Sequence, residues 1–214
     1  RHSAVGWNYV YDLPATGYLM ILSLKMPPLA KRYALLFLEQ NNMGKRGHFD
    51  GSSEQQFTGL LGEICFKRLV TGNWPSIESG FDGGFDLEIE GRQVDVKTMG
   101  RTVKVESGFV HNYVLAQSHL AADMLVFQSY IKKTNILEVC GWIDKEDALA
   151  FGTIHPKGSV RTRRDGSTFR TASDLLEVEQ GFLKPFSGQL KVVLDDAQLT
   201  GPLFPKPIYE TQEL

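Results

Sequence analysis

The 214-residue sequence predicts an α/β fold, a mixed central β-sheet flanked by helices, with irregular N- and C-terminal extensions. Three observations carry that expectation. Phe57, Leu60, Leu61 and Ile64 form an apolar stripe at helical spacing. A short hairpin pattern follows over residues 84–98. Two runs rich in Val, Ile, Leu and Phe, at 124–130 and 136–143, then read as central strands. Helix, hairpin, strands and helix in that order give a mixed sheet with helices on its faces.

The elements follow in order along the chain. Residues 1–50 form an N-terminal extension with one helix; its first 25 residues carry aromatics without a period and receive no assignment. Pro27-Pro28 marks a break, and residues 29–40 read as a helix with Leu29, Tyr33, Leu35 and Leu36 as its apolar face. Residues 41–51 are loop-like. Ser53 with Gln56 resembles a capping box that opens the next helix. Gly59 and Gly62 weaken that helix by about 1 kcal/mol each, and fit close packing against a neighbouring backbone. After the hairpin, 113–117 is a further strand candidate, and Asp144 to Asp147 read as the acidic first turn of a short helix. Residues 51–151 are the expected core. Residues 152–214 show little period and several prolines, an irregular segment packing on the core and carrying a substrate-contacting loop.

Composition is ordinary for a globular domain, with 42% apolar and 22% charged residues. The net charge of −2 announces no global nucleic-acid binder, although metal-binding acids would offset a local basic patch. Cys65 and Cys140 stand among apolar neighbours and read as buried thiols in a reducing compartment. No run approaches the ~20 apolar residues of a membrane span. Asp12 and Pro14 interrupt any signal-like stretch. The expectation is a cytoplasmic protein with no membrane partner.

The chemistry gathers at the hairpin. With Glu90-Gly91 as its turn, Ile89 pairs with Arg92, Glu88 with Gln93, Leu87 with Val94 and Asp86 with Asp95. Carboxylates directly opposite one another, Cβ atoms roughly 5 Å apart, repel, and a divalent cation is the natural compensation. Lys97, two residues past Asp95, projects from the same face. Asp95 stands between Val94 and Val96, so its strand reads as half-buried and its carboxylate needs a partner. Glu63 on the preceding helix pairs with Lys67 at i+4 in the ordinary reading. Beside Asp86 and Asp95 it completes a hard-oxygen site for Mg2+ or Mn2+. Asp82 rivals Asp86 but lies in a loop before Gly83-Gly84. The histidines show no metal-ligand spacing, so zinc is not expected.

Glu63, Asp86 and Asp95-x-Lys97 resemble the PD-(D/E)xK nuclease superfamily, whose fold is restriction-endonuclease-like. The likeness covers roughly residues 53–149. Phe85 stands where the family pattern has proline. The resemblance implies that Asp86, Asp95, the Val96 carbonyl and Glu63, directly or through water, bind one or two Mg2+ or Mn2+ ions. It implies that Lys97 orients or helps deprotonate the attacking water and screens charge on the phosphate. Gln117 resembles a polar residue that some members carry near the site. Lys157, Arg161, Arg163 and Arg164, with Arg170 behind, form a basic loop suited to a phosphate backbone. Lys45-Arg46, Arg101 and Lys104 would extend it. The expected activity is metal-dependent hydrolysis of phosphodiester bonds, in DNA first of all, and a homodimer is a further expectation from the family. A catalytically inactive nucleic-acid-binding module of the same fold, or an interaction protein with surface acids, are the alternatives.

Overall fold

The computed structural model describes residues 9–11, 21–40, 52–75, 84–163 and 166–186. Over these residues the chain is a mixed α/β protein. Helix α1 (Pro28–Gln40) buries Ala30, Tyr33, Ala34 and Phe37, spaced i, i+3, i+4 and i+7. Only Tyr33 of the expected face is among them, and Leu35 is 51% exposed. Leucines surround this helix, so its period is ambiguous, and the small Ala30 and Ala34 let a neighbour approach.

Helix α2 (Ser53–Thr71) is capped by Ser52, whose hydroxyl accepts from the Gln55 N–H while the Gln55 side chain accepts from the Ser52 N–H. The box thus lies one residue before the Ser53–Gln56 reading. Leu60, Leu61, Ile64, Cys65, Phe66 and Leu69 are its buried apolar side chains, and Gly72 closes it in the left-handed conformation.

Strands β3 (Leu87–Ile89) and β4 (Arg92–Arg101) pair as Leu87 with Val94, Glu88 with Gln93 and Ile89 with Arg92. Glu90 and Gly91 both have positive φ, 50° and 78°, the geometry of a type I′ turn. Strand β4 runs ten residues and β3 only three, so the outer edge of β4 is uncovered by β3 from Asp95 onward.

Strand β5 (Val110–Val114) leaves the main sheet, and a 3-10 turn, Leu115–Gln117, follows it. The strand expected at 113–117 therefore ends three residues early. The chain returns as β6 (Met124–Ile131), parallel to β4, and pairs antiparallel with β7 (Ile136–Asp144). Strands β1 (Tyr9–Tyr11) and β2 (Leu22–Lys25) extend the sheet beyond β7, giving the order β1-β2-β7-β6-β4-β3. The first 25 residues thus supply two sheet strands, where no element was expected.

Helix α3 (Lys145–Phe151) opens with Glu146 and Asp147 in its first turn. Among its described residues, the region expected to be irregular carries four strands. Strands β8 (Thr153–His155) and β11 (Leu175–Glu179) join β5 in a second sheet, ordered β5-β11-β8. Strands β9 (Val160–Thr162) and β10 (Thr168–Arg170) form a separate ribbon. Except for β11, these strands are three residues long, too short to show a period. Pro202, Pro205 and Pro207 lie outside the described residues.

Two apolar layers cover the main sheet. One, with Val94, Val96, Val126 and Val139, packs on α1 and α2. The other, with Leu125, Phe127 and Ile143, packs on Tyr113, Leu176 and Val178 of the second sheet and Ala148 of α3. Every residue of β6 is buried, as a strand covered on both faces requires. Cys65 and Cys140 are buried free thiols. Among the described residues no helix is long and apolar enough to cross a membrane.

Candidate active site

A cavity of about 290 Å³ opens at the edge of β4 that β3 does not reach. Its lining contains all four expected catalytic residues, Glu63, Asp86, Asp95 and Lys97, together with Val96. Helix α2 presents Gln56, Gly59, Leu60 and Glu63 from one face. Strand β4 contributes residues 95–99, and β5 contributes Asn112.

Asp86 precedes β3, and its N–H donates to the Val94 carbonyl at 2.8 Å. The ladder ends at Leu87–Val94, so the direct Asp86–Asp95 strand pair expected from the sequence does not form. Instead Asp86 Oδ2 accepts from the Val96 N–H at 2.5 Å, satisfying an edge amide that β3 is too short to reach. Burial raises the Asp86 pKa well above the usual carboxylate range, and the charges of Glu63 and Asp95 raise it further. The Val96 N–H and the Lys97 ammonium oppose that rise without cancelling it.

Asp95 is 5% exposed, and its Oδ1 lies 2.8 Å from Lys97 Nζ. The two side chains share a face, as the two-residue spacing predicts. Lys97 Nζ also lies 5.7 Å from the centre of the Tyr113 ring. Burial, then the nearby Asp95 charge, pushes the Tyr113 hydroxyl up. Glu63 Oε1 accepts from Lys67 Nζ at 2.6 Å, so the ordinary helix pair forms while Glu63 also lines the cavity.

Among the described residues no three His, Cys, Asp or Glu side chains are grouped closely enough to hold an ion as they stand. The donor chemistry nonetheless fits a hard divalent cation. Glu63 and Asp95 both act on Asp86 at the cavity, and a buried Asp86 held against two like charges gains from an added positive charge. Asn112 Oδ1 is a further buried oxygen, with no hydrogen-bond partner among the described residues.

Three polar lining residues, Gln56, Thr98 and Asn112, were not among the candidates the sequence offered. Gln56 stands seven residues before Glu63, on the same helix face, a spacing that would have found it. Asn112 alternates with His111 and Tyr113 on β5, but nothing local ties that strand to the cavity.

The structure separates the remaining candidates. Gln117 closes the 3-10 turn and does not line the cavity. Arg161 binds Glu177 through two hydrogen bonds and is committed to a buried carboxylate rather than lying free for phosphate. Arg101 is bound to Ser129 Oγ and the Val110 carbonyl, so it does not extend a surface patch. Lys157, Arg163, Arg170 and Lys104 are exposed. Lys45, Arg46, Asp82 and Arg164 lie outside the described residues. His111 is fully buried on Gln180, and burial pushes its pKa down to about 4.

No family model, curated protein or solved structure matches this chain.

Proposed function

We propose that this chain is a divalent-metal-dependent nuclease that hydrolyses phosphodiester bonds, in DNA first of all. One observation carries the reading. A helix (Glu63), a loop end (Asp86) and a strand (Asp95, Lys97) bring three acids and one amine to a single cavity. Burying like-charged carboxylates together costs stability unless something compensates. The mixed sheet with its hairpin beside a helix supports the restriction-endonuclease-like reading of the fold and the resemblance to the PD-(D/E)xK superfamily.

Asp86, Asp95, the Val96 carbonyl and Glu63 would hold Mg2+ or Mn2+, which supplies an acidified water and charge stabilisation at the phosphate. Lys97 Nζ, steered by Asp95 Oδ1, orients the attacking water and faces the charge that develops on the phosphate oxygens. The Val96 N–H holds Asp86 in place through Oδ2. Asn112 offers its buried Oδ1 as an acceptor for that water.

A second reading, an inactive nucleic-acid-binding module, draws on the Glu63–Lys67 and Asp95–Lys97 ion pairs, which partner two of the acids without a metal. The test is cleavage of supercoiled plasmid and of a labelled single strand with Mg2+ or Mn2+, beside Asp95→Ala and Lys97→Ala. Metal-dependent cutting lost in both variants is the expected result. At 100-fold excess over its dissociation constant, the metal should also stabilise the wild type by about 2.7 kcal/mol, or about 5–10 °C. A folded protein showing neither cleavage nor a metal-induced thermal shift overturns the nuclease reading.

A further inference from the structure

The ribbon β9–β10 is a sheet of its own. Its backbone ladder runs from Ser159–Thr171 to Arg163–Ser167, and Gly166 closes the turn with φ 82°. The three-residue strands, with one flanking hydrogen-bonded residue at each end, make five residues a side and span about 16 Å, enough to cross a B-DNA major groove about 12 Å wide.

Its two faces differ. Val160, Thr162, Thr168 and Arg170 all point outward and are exposed, Val160 at 54%. Arg161, Arg163 and Phe169 share the other face. At the base of that face Arg161 locks onto Glu177, with Nε 3.1 Å from Oε1. Glu177 pairs across β11 and β5 with Asn112, which lines the cavity. The ribbon is therefore rooted one strand from the cavity, a step of about 5 Å.

Charge complementarity selects the occupant. Residues 157–171 carry five basic residues against Asp165 alone, a net +4 in a chain whose total is −2. Arg161 is neutralised by Glu177, whereas Lys157, Arg163 and Arg170 are exposed. The ribbon's one aromatic ring, Phe169, is half-buried and covered by Arg163, whose guanidinium lies 4.6 Å from its centre. No aromatic platform is left on which single-stranded bases would stack. An A-form RNA duplex has a major groove too deep and narrow for a two-stranded ribbon.

We propose that the β9–β10 ribbon is an arm that lies in the major groove of double-stranded DNA, with Lys157, Arg163 and Arg170 on the phosphates. This makes duplex DNA the substrate class, and it rests on the nuclease reading for the site the arm serves.

The test is fluorescence anisotropy of a labelled 30-base-pair DNA duplex, its single strand and an RNA duplex of the same sequence, in EDTA so that no cleavage occurs. The full chain is compared with a variant carrying Lys157→Ala, Arg163→Ala and Arg170→Ala, and with one carrying Arg163→Lys and Arg170→Lys. The wild type should prefer duplex DNA over both other ligands. The triple alanine variant should lose at least about 10-fold in affinity, and its salt slope should fall by about 3, roughly one per phosphate contact. The lysine variant, which keeps the charges, should stay within about 3-fold of wild type. Preference for single strand or RNA, or unchanged duplex binding by the alanine variant, overturns the arm. Because metal is absent, this result is independent of the cleavage assay. Arm-dependent duplex binding without cleavage would sink the nuclease reading alone, and metal-dependent cutting with arm-independent binding would sink the arm alone.

Discussion

Gly62→Ala tests the contact that seats α2, and with it Glu63, against the sheet. A Cβ at position 62 would lie 1.9 Å from Thr98 Oγ1, 2.6 Å from Gln128 Oε1 and 2.7 Å from Thr98 Cβ. Neither neighbour can yield cheaply. Thr98 is β-branched and stiff on β4. Gln128 is fully buried and takes the Thr98 hydroxyl at 3.2 Å. Overpacking of this kind costs about 1–3 kcal/mol. Losing the Thr98–Gln128 bond adds about 1 kcal/mol, and alanine's better helix propensity returns about 1 kcal/mol. The net is a destabilisation of about 1–3 kcal/mol, or roughly 2–12 °C in Tm for a chain of this size.

Gly59, three residues earlier, is the internal control. A Cβ there meets nothing within 4 Å, because it projects into the cavity. Gly59→Ala should gain up to about 1 kcal/mol and raise Tm by about 2–4 °C. Thermal and urea melts of both variants read the contrast. If Gly62→Ala stabilises the protein as Gly59→Ala does, α2 is not seated on β4 as described, and the position of Glu63 falls with it.

Two further outcomes follow from the geometry. In metal-free protein the Asp86 pKa is raised, so the native state keeps a proton that the unfolded state releases, and stability falls as pH rises through that raised value. Asp86→Asn keeps an acceptor for the Val96 N–H and removes this dependence. It should melt above the wild type at neutral pH in EDTA, with the gap closing toward about pH 4, where an unfolded aspartate also gains its proton; a lower melt at neutral pH would contradict the assignment. Ser52→Ala should cost about 1 kcal/mol in urea melts by removing the cap, whereas Ser53→Ala should change stability by less than about 0.5 kcal/mol.

Where the sequence was legible, the signal was local. The hairpin register from Ile89–Arg92 to Leu87–Val94 followed from Glu90-Gly91, because a two-residue turn fixes the pairs next to it, whereas the next expected pair, Asp86–Asp95, does not form. Strands β6 and β7 were legible as continuous apolar runs, since both faces are covered. The convergence of Glu63, Asp86, Asp95 and Lys97 followed from one helix beside one hairpin. Signals failed where they were short, duplicated or distant. Ser52-Ser53 and Gln55-Gln56 offer two overlapping capping boxes, and only geometry chooses the earlier. Strands β5 and β11 pair across more than sixty residues, and no periodicity reports such a pairing. Arg161 reads as a phosphate ligand by composition, but its partner Glu177 is known only once β11 is in place.

The length of β3 is the feature on which the cavity turns. A sheet edge presents unpaired amides that most proteins cover or blunt. Here β3 spans only Leu87–Ile89, and the Val96 N–H beyond it is met by a side chain, Asp86 Oδ2, instead of a strand carbonyl. A strand continued two residues toward its N-terminus would satisfy that amide with backbone and fill the space that Glu63, Asp95 and Lys97 now share. The chain instead satisfies the edge with a carboxylate that burial and two acidic neighbours disfavour in its charged form. That choice weakens the fold and leaves an acid-lined cavity, an arrangement that the proposed nuclease site would put to use.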